Sequence, residues 1–277
     1  MNKKLLTALS LAPLVLISGA WSGTQKPKRP RMNTVTITAH DFGFTAPARV
    51  AAGLTRIRFI NNGGTIHHAQ LVRFTGGHTV KDYVAALKPD APPPKWATDV
   101  GGPNAVGPHD ELAVIQSLEP GNYGIVCFVD LPDHVPHLMK GMSRDLTVTR
   151  AGANSSALPE GDVSVDLVDY NFKWSEPLTA GAHRITVRTD APQPHELTVI
   201  RLNPGKSAND LLAWLEKMEG PPPGKLLGGV AGLAKGKPVS VGLVFTPADY
   251  VFICFVPDMK DGKPHFMHGM VQTVTVK

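Results

Sequence analysis

Two sets of side chains in this sequence have the types and spacing to do metal chemistry. His67 precedes Cys127 by 60 residues, and Cys127 is followed by His137 and, five positions further on, by Met142. His195, Cys254, His265 and Met270 repeat that order, each 127 or 128 residues after its counterpart. Two imidazoles, one thiolate and a weakly binding thioether are the donor set of a mononuclear electron-transfer copper site. Sulfur suits Cu(I), nitrogen suits Cu(II), and the mixture leaves both oxidation states within reach. One such set can arise by accident; two at a matched offset are poorly explained that way.

The offset extends beyond these eight residues. HDFGF at 40–44 resembles VDYNF at 168–172, and HHAQLVRF at 67–74 resembles HELTVIRL at 195–202. YGIVCFV at 123–129 resembles YVFICFV at 250–256, and PHLMKGMSRDLTV at 136–148 resembles PHFMHGMVQTVTV at 264–276. A near-constant offset means tandem duplication of one domain of about 115 residues, a common domain size. The domains are expected at 34–149 and 162–277, joined by a linker at 150–161 that reads RAGANSSALPEG.

The elements that must position the candidate ligands are strands. TVTIT at 34–38, TRIRFI at 55–60, HRITVRT at 183–189 and VQTVTV at 271–276 alternate with the period of two of half-buried strands. Each copy should therefore be a small all-β sandwich. One interruption is expected in each. Thr79 with Asp82, and Ser207 with Asp210, form capping boxes that open short helices, and the prolines at 92–94 and 221–223 close the inserted segments. The aromatic pairs Phe42/Phe44 and Tyr170/Phe172 read as core.

Against this background the sequence resembles plastocyanin and pseudoazurin. NNGGTIHH at 61–68 resembles the strand-end segment that carries their first copper histidine, and PHFMHGMVQTVTV resembles their Pro-His-x4-Met segment running into the last strand. The resemblance covers about half of each domain and implies two tandem cupredoxin-like Greek-key sandwiches. It implies His67 and His195 as first ligands, Cys127 and Cys254 as thiolates, His137 and His265 as second imidazoles, and Met142 and Met270 as axial ligands. His67 rather than His68 takes the first position because the repeat aligns His67 with His195 and sets Glu196 opposite His68. The sequence departs from the family in the loop between Cys and the second His, which holds nine residues in the first copy and ten in the second, where plastocyanin-like proteins have about two.

Composition fits this organisation. The chain has 277 residues, is 42% apolar and 18% charged, and carries a net charge of +5. Six basic residues and no acidic ones fall within residues 1–31, so the remainder carries a net charge of −1. A nucleic-acid-binding face is therefore excluded. Lys3 and Lys4, the apolar run Leu5–Ile17 and the small residues up to Ala20 read as a secretory signal, followed by a basic tether to residue 33. The apolar run is shorter than the ~20 residues of a membrane span, so an exported protein, periplasmic or extracellular, with no stable span after cleavage is expected; an uncleaved anchor is the alternative. In that compartment Cys127 and Cys254 must pair with each other or each be buried or metal-bound.

The leading expectation is an exported two-site copper protein serving electron transfer with redox partner proteins, and not an enzyme. The alternatives are copper storage or delivery, or a metal-free cupredoxin-like binding module. A multicopper oxidase or nitrite reductase is the enzyme alternative, set against the absence of any His-x-His pair and of a His beside either Cys.

Overall fold

Strand propensity and alternation produce two sandwiches of matched design, here in a computed structural model that describes residues 32–88, 91–130, 133, 135–150, 152–154 and 156–277. The signal segment, nearly all of the tether and His134 lie outside the described residues. Asn33, assigned to the tether by sequence, already pairs with Thr55 in the first sheet.

The first half contains β1 (Asn33–His40), β2 (Gly43–Thr45), β3 (Arg49–Ala51), β4 (Gly53–Asn61), β5 (Gln70–Phe74), α1 (Val80–Ala86), β6 (Ala97–Asp99), β7 (Glu111–Leu118), β8 (Gly121–Val126) and β9 (Ser143–Thr149). The second contains β10 (Val163–Val168), β11 (Asn171–Trp174), β12 (Gly181–Thr189), β13 (His195–Leu202), α2 (Ala208–Lys217), β14 (Gly224–Leu233), β15 (Val239–Phe245), β16 (Ala248–Ile253) and β17 (Val271–Val276). In both, the first strand pairs in parallel with a strand two places later, β1 with β4 and β10 with β12, while most other pairs are antiparallel. That crossing of sheet edges is the Greek-key signature. A buried tyrosine ties each sandwich corner: the Tyr123 hydroxyl donates to the Glu119 carbonyl at 2.8 Å, and Tyr250 to the Thr246 carbonyl at 2.9 Å. Each half is thus a cupredoxin-like sandwich.

The halves are fused through backbone. β7 pairs with β15, which makes one eight-stranded sheet, β11-β10-β12-β15-β7-β4-β1-β2, running through both. Across the other face, residues 99–106 of the first half lie along β14, with Gly101 N–H donating to the Gly232 carbonyl and Ala231 N–H to the Gly102 carbonyl. A single apolar cluster accordingly includes residues of both halves, among them Cys127, Met142, Cys254 and Met270. Part of the expected linker is also docked, since Asn154 Oδ1 accepts the Leu54 N–H at 3.0 Å.

Both capping boxes form as expected, at Thr79/Asp82 and Ser207/Asp210. The helices cover the outer face of the smaller sheets: Tyr83 packs with Phe74, Val126 and Leu138, and Leu211 with Ile200, Val251 and Ile253. Among the described residues no helix is long and apolar enough to cross a membrane.

Candidate metal centres

The first site is assembled from three strand ends. Cys127 directly follows β8, His67 lies in the loop after β4, and His137 opens a single 3-10 turn, His137–Lys140, before β9. The loop carrying His67 is built around Asn61. Its buried side-chain amide donates to the carbonyls of Thr65, Val106 and Gly107, and its oxygen accepts the Gly63 N–H. The second site repeats the placement, with Cys254 after β16, His195 opening β13, and His265 opening the turn His265–His268.

The long Cys-to-His loops do not loosen either site, because their ends are stitched together. His137 N–H donates to the Val129 carbonyl at 3.0 Å and Leu138 N–H to the Cys127 carbonyl at 2.7 Å. His265 and Phe266 make the same pair of bonds to Val256 and Cys254, both at 2.9 Å. Bridges between Asp130 and Pro136 and between Pro257 and Pro264 close the bases of the loops, so the additional residues project outward.

All six His and Cys side chains are fully buried, and in each half the three donors lie within 4.8 Å of one another. In the first site His67 Nδ1 is 2.9 Å from His137 Nδ1, which is 3.5 Å from Cys127 Sγ. In the second, Cys254 Sγ is 3.4 Å from His265 Nδ1. Met142 and Met270 are also fully buried. Each is tied to its site by two backbone bonds, Cys N–H to Met carbonyl and Met N–H to the second His carbonyl, at 3.3 and 3.0 Å in the first half and 3.2 and 3.0 Å in the second. The cysteines are free of disulfides, which removes the pairing of Cys127 with Cys254.

An aspartate orients the first histidine of each site. Asp41 Oδ1 lies 3.0 Å from His67 Nε2, and Asp169 Oδ1 lies 2.9 Å from His195 Nε2. That contact assigns the ring proton to Nε2 and leaves Nδ1 as a lone pair facing the sulfur. The sequence reading missed both aspartates, although they occupy one position of the repeated HDFGF/VDYNF segment. Gly63 belongs to the same cradle: a Cβ there would come within 2.5 Å of both His67 Nε2 and Asp41 Oδ1.

Electrostatics and satisfaction both fit a soft cation. Burial lowers the pKa of His67 and His195, against the pull of their aspartates, and lowers His137 and His265 to about 4, with the neighbouring histidine adding to the effect. All four rings are held neutral, the form that ligates a metal. Burial also pushes the Cys127 thiol up to about 12 and raises that of Cys254, so without a cation both thiols keep their protons. His195 Nδ1 is buried with no hydrogen-bond partner, although its neighbours are the thiol and the second imidazole. A buried nitrogen lone pair left without a donor costs about 1–3 kcal/mol. A copper ion bound by Nδ1 of both rings and by the sulfur removes that cost and supplies the charge the thiolate needs.

Phe42 and Tyr170 correct the core assignment. Phe44 and Phe172 are in the core, but Phe42 is 39% exposed and meets the His137 ring edge-on with centroids 5.4 Å apart. Tyr170 stands the same way to His265 at 5.7 Å. Both adopt left-handed backbone, φ 62° and 65°, which turns the side chain away from the sandwich interior and over the second histidine. His68 and Glu196 back the cysteines: each donates its own N–H to the thiol sulfur, at 3.5 and 3.4 Å, and accepts the N–H of the residue after Cys on its side chain.

Sandwich topology and a His, Cys, His and Met convergence at one end of each half define the class as tandem cupredoxin-like, with copper-binding donor sets. No family model and no curated protein matches the chain. Among solved structures, auracyanin A, described as a blue copper protein of Chloroflexus aurantiacus, is 22% identical, with 43% of this chain and 100% of that one covered at a TM-score of 0.29. A multicopper oxidase is 14% identical over 89% of both chains at 0.24. A copper-containing nitrite reductase from Thermus scotoductus is 12% identical, over 89% of this chain and 61% of that one, at 0.23. At these TM-scores the likeness says nothing of substrate or partner. It does correct one expectation: the solved structures spanning both halves are enzymes, so the restriction to a non-enzymatic role is withdrawn.

Proposed function

We propose that the chain is an exported copper protein with one mononuclear site in each half, His67/Cys127/His137/Met142 and His195/Cys254/His265/Met270, and that both sites exchange single electrons with redox partner proteins. Copper supplies the reversible one-electron couple; the chain supplies a rigid, dry donor set of two nitrogens and one sulfur with a weak axial thioether, the arrangement typical of electron-transfer copper. The observation that carries the reading is the buried convergence in each half, with His195 Nδ1 left unpartnered. Export is supported by the leader at residues 1–20 and by thiols that are unpaired yet wholly buried, and so protected from oxidation.

The test is copper loading of the chain. The expected outcome is two copper ions per chain, an intense visible thiolate-to-copper band, and reversible voltammetry. The double variant Cys127→Ser/Cys254→Ser loses the band entirely. Zero copper, or copper with no thiolate band, overturns the reading.

A further inference from the structure

Between the two sites lies a buried side chain that the duplication does not explain. Asn104 comes from the segment of the first half that lies along β14, is 2% exposed, and points into the second half. Its amide nitrogen donates to Thr198 Oγ1 at 2.8 Å, to the Leu197 carbonyl at 3.2 Å, and to Glu196 Oε2 and the Val230 carbonyl at 3.3 Å. It is also hydrogen-bonded to the His68 ring. Since His68 Nε2 accepts the Phe128 N–H at 2.7 Å, the proton on that ring sits on Nδ1 and is the one donated to Asn104. Glu196 Oε1 in turn accepts the Phe255 N–H at 2.9 Å.

Phe128 and Phe255 are covalently bonded to Cys127 and Cys254. A continuous route therefore runs from one cysteine to the other, entirely inside the protein: Cys127, Phe128 N–H, His68, Asn104, Glu196, Phe255 N–H, Cys254. His68 and Glu196 touch the sulfurs a second time through their own N–H groups. Electron density decays more slowly along covalent and hydrogen bonds than across packing gaps, and the cysteine sulfur is the donor most strongly mixed with copper.

We propose that the His68–Asn104–Glu196 bridge is an internal electron conduit that makes the two sites one two-electron unit. The inference rests on the copper reading above. An external one-electron reductant fills one site; that Cu(I) is then oxidised to Cu(II) as the Cu(II) of the other site is reduced to Cu(I), and an external one-electron oxidant empties the second. No bond breaks and no proton moves in the internal step. Asn104 acts as a positioning residue, holding His68 and Glu196 at opposite ends of one amide.

The test uses the full chain carrying two copper ions and Met142→Gln, which replaces one axial thioether by an amide oxygen and separates the sites in spectrum and potential. After a pulse of a one-electron radical reductant, the electron redistributes between the two bands. The expected result is a first-order phase whose rate does not change with protein concentration. Asn104→Leu slows that phase on the order of tenfold or more, the size of effect typical of losing a partner that supports metal ligands. Copper count, bands and both potentials stay as they were, which a merely structural role for Asn104 does not predict. Thr198→Val removes a neighbour of Asn104 that lies off the route and leaves the rate unchanged.

Redistribution that occurs only by collision, at a rate proportional to protein concentration, overturns the proposal without any change at position 104. So does an Asn104→Leu protein with the parent rate, or an equal slowing by Thr198→Val. A chain that takes up fewer than two copper ions overturns this proposal together with the two-site reading; two working copper sites without the internal phase overturn this proposal alone.

Discussion

The two halves keep the same candidate ligands and the same aspartate on the first histidine, yet they surround the second histidine differently. Over His137 stands Phe42, with the Lys140 ammonium 5.9 Å from its ring and paired to Asp133 at 2.7 Å. Over His265 stands Tyr170, whose hydroxyl donates to Asp258 Oδ2 at 2.6 Å. Asp258 also accepts from Gln193 Nε2 and from the Lys260 N–H, and lies 3.7 Å from His265 Nε2. The Tyr170 and Gln193 donors hold the Asp258 carboxyl well below the usual carboxylate range, so it is charged. Duplication has preserved the donors that decide which metal binds and varied the charges that decide how readily it is reduced. A fixed negative charge beside a ligand favours Cu(II) over Cu(I), so the second site is expected at the lower potential.

The largest effect comes from removing one sulfur at a time. Cys127→Ser is expected to abolish the first site's thiolate band while the second keeps its own, and Cys254→Ser the reverse, as read by visible absorption and copper analysis. Loss of both bands in either single variant would break the idea of two complete sites.

A smaller effect separates the cradles of the first histidine. Gly63 has Ala191 as its counterpart, so only the second half already accommodates a Cβ at this position. Gly63→Ala forces the His67–Asp41 contact apart and is expected to weaken copper at the first site by about 10- to 100-fold, the usual consequence of disturbing a ligand's supporting partner. Ala191→Gly leaves the second site's affinity close to its starting value. Titration against a competing chelator measures both.

Smaller again is the charge effect that the comparison predicts. Asp258→Asn removes the carboxylate next to His265 and should raise the second site's potential towards that of the first. The expected change is on the order of 2 kcal/mol at the effective dielectric of a partly buried pair. Voltammetry that finds no upward shift would show that the difference between the halves does not lie in Asp258.

The ligands, the repeat and the capping boxes were legible in the sequence because each depends on residue type at short or duplicated spacing. Asp41 and Asp169 were present in the repeated segment but unread, since a carboxylate two strands away from a histidine in the chain has no local signature. Phe42 and Tyr170 were read as core from their apolar character; only their left-handed backbone turns them over the second histidine. The pairing of β7 with β15 and the reach of Asn104 into the second half were invisible for a different reason. They are contacts between copies, and a repeat announces what its copies share, not how they dock.

The smallest expected effect distinguishes the two helices. Thr79 and Ser207 cap α1 and α2 with the same reciprocal geometry, each accepting from and donating to the aspartate three residues on. Losing such a cap costs about 0.5–2 kcal/mol. The helices differ in what else holds their first turn: Val80 N–H donates to Asp145 Oδ1 of β9 at 2.9 Å, whereas α2 has no such contact from another element among the described residues. Ser207→Ala should therefore fall near 2 kcal/mol and Thr79→Ala near 0.5 kcal/mol in that range, read as a shift in urea midpoint at constant slope. Since α1 packs on Leu138, beside His137, while α2 packs on Phe266, beside His265, the thiolate bands report whether either loss travels inward. The stitched Cys-to-His loops hold each second histidine by backbone bonds that do not pass through the helices, so both bands should keep their position. A band that moved with Thr79→Ala but not with Ser207→Ala would place α1 inside the first site's support and make the two insertions unequal in role as well as in length.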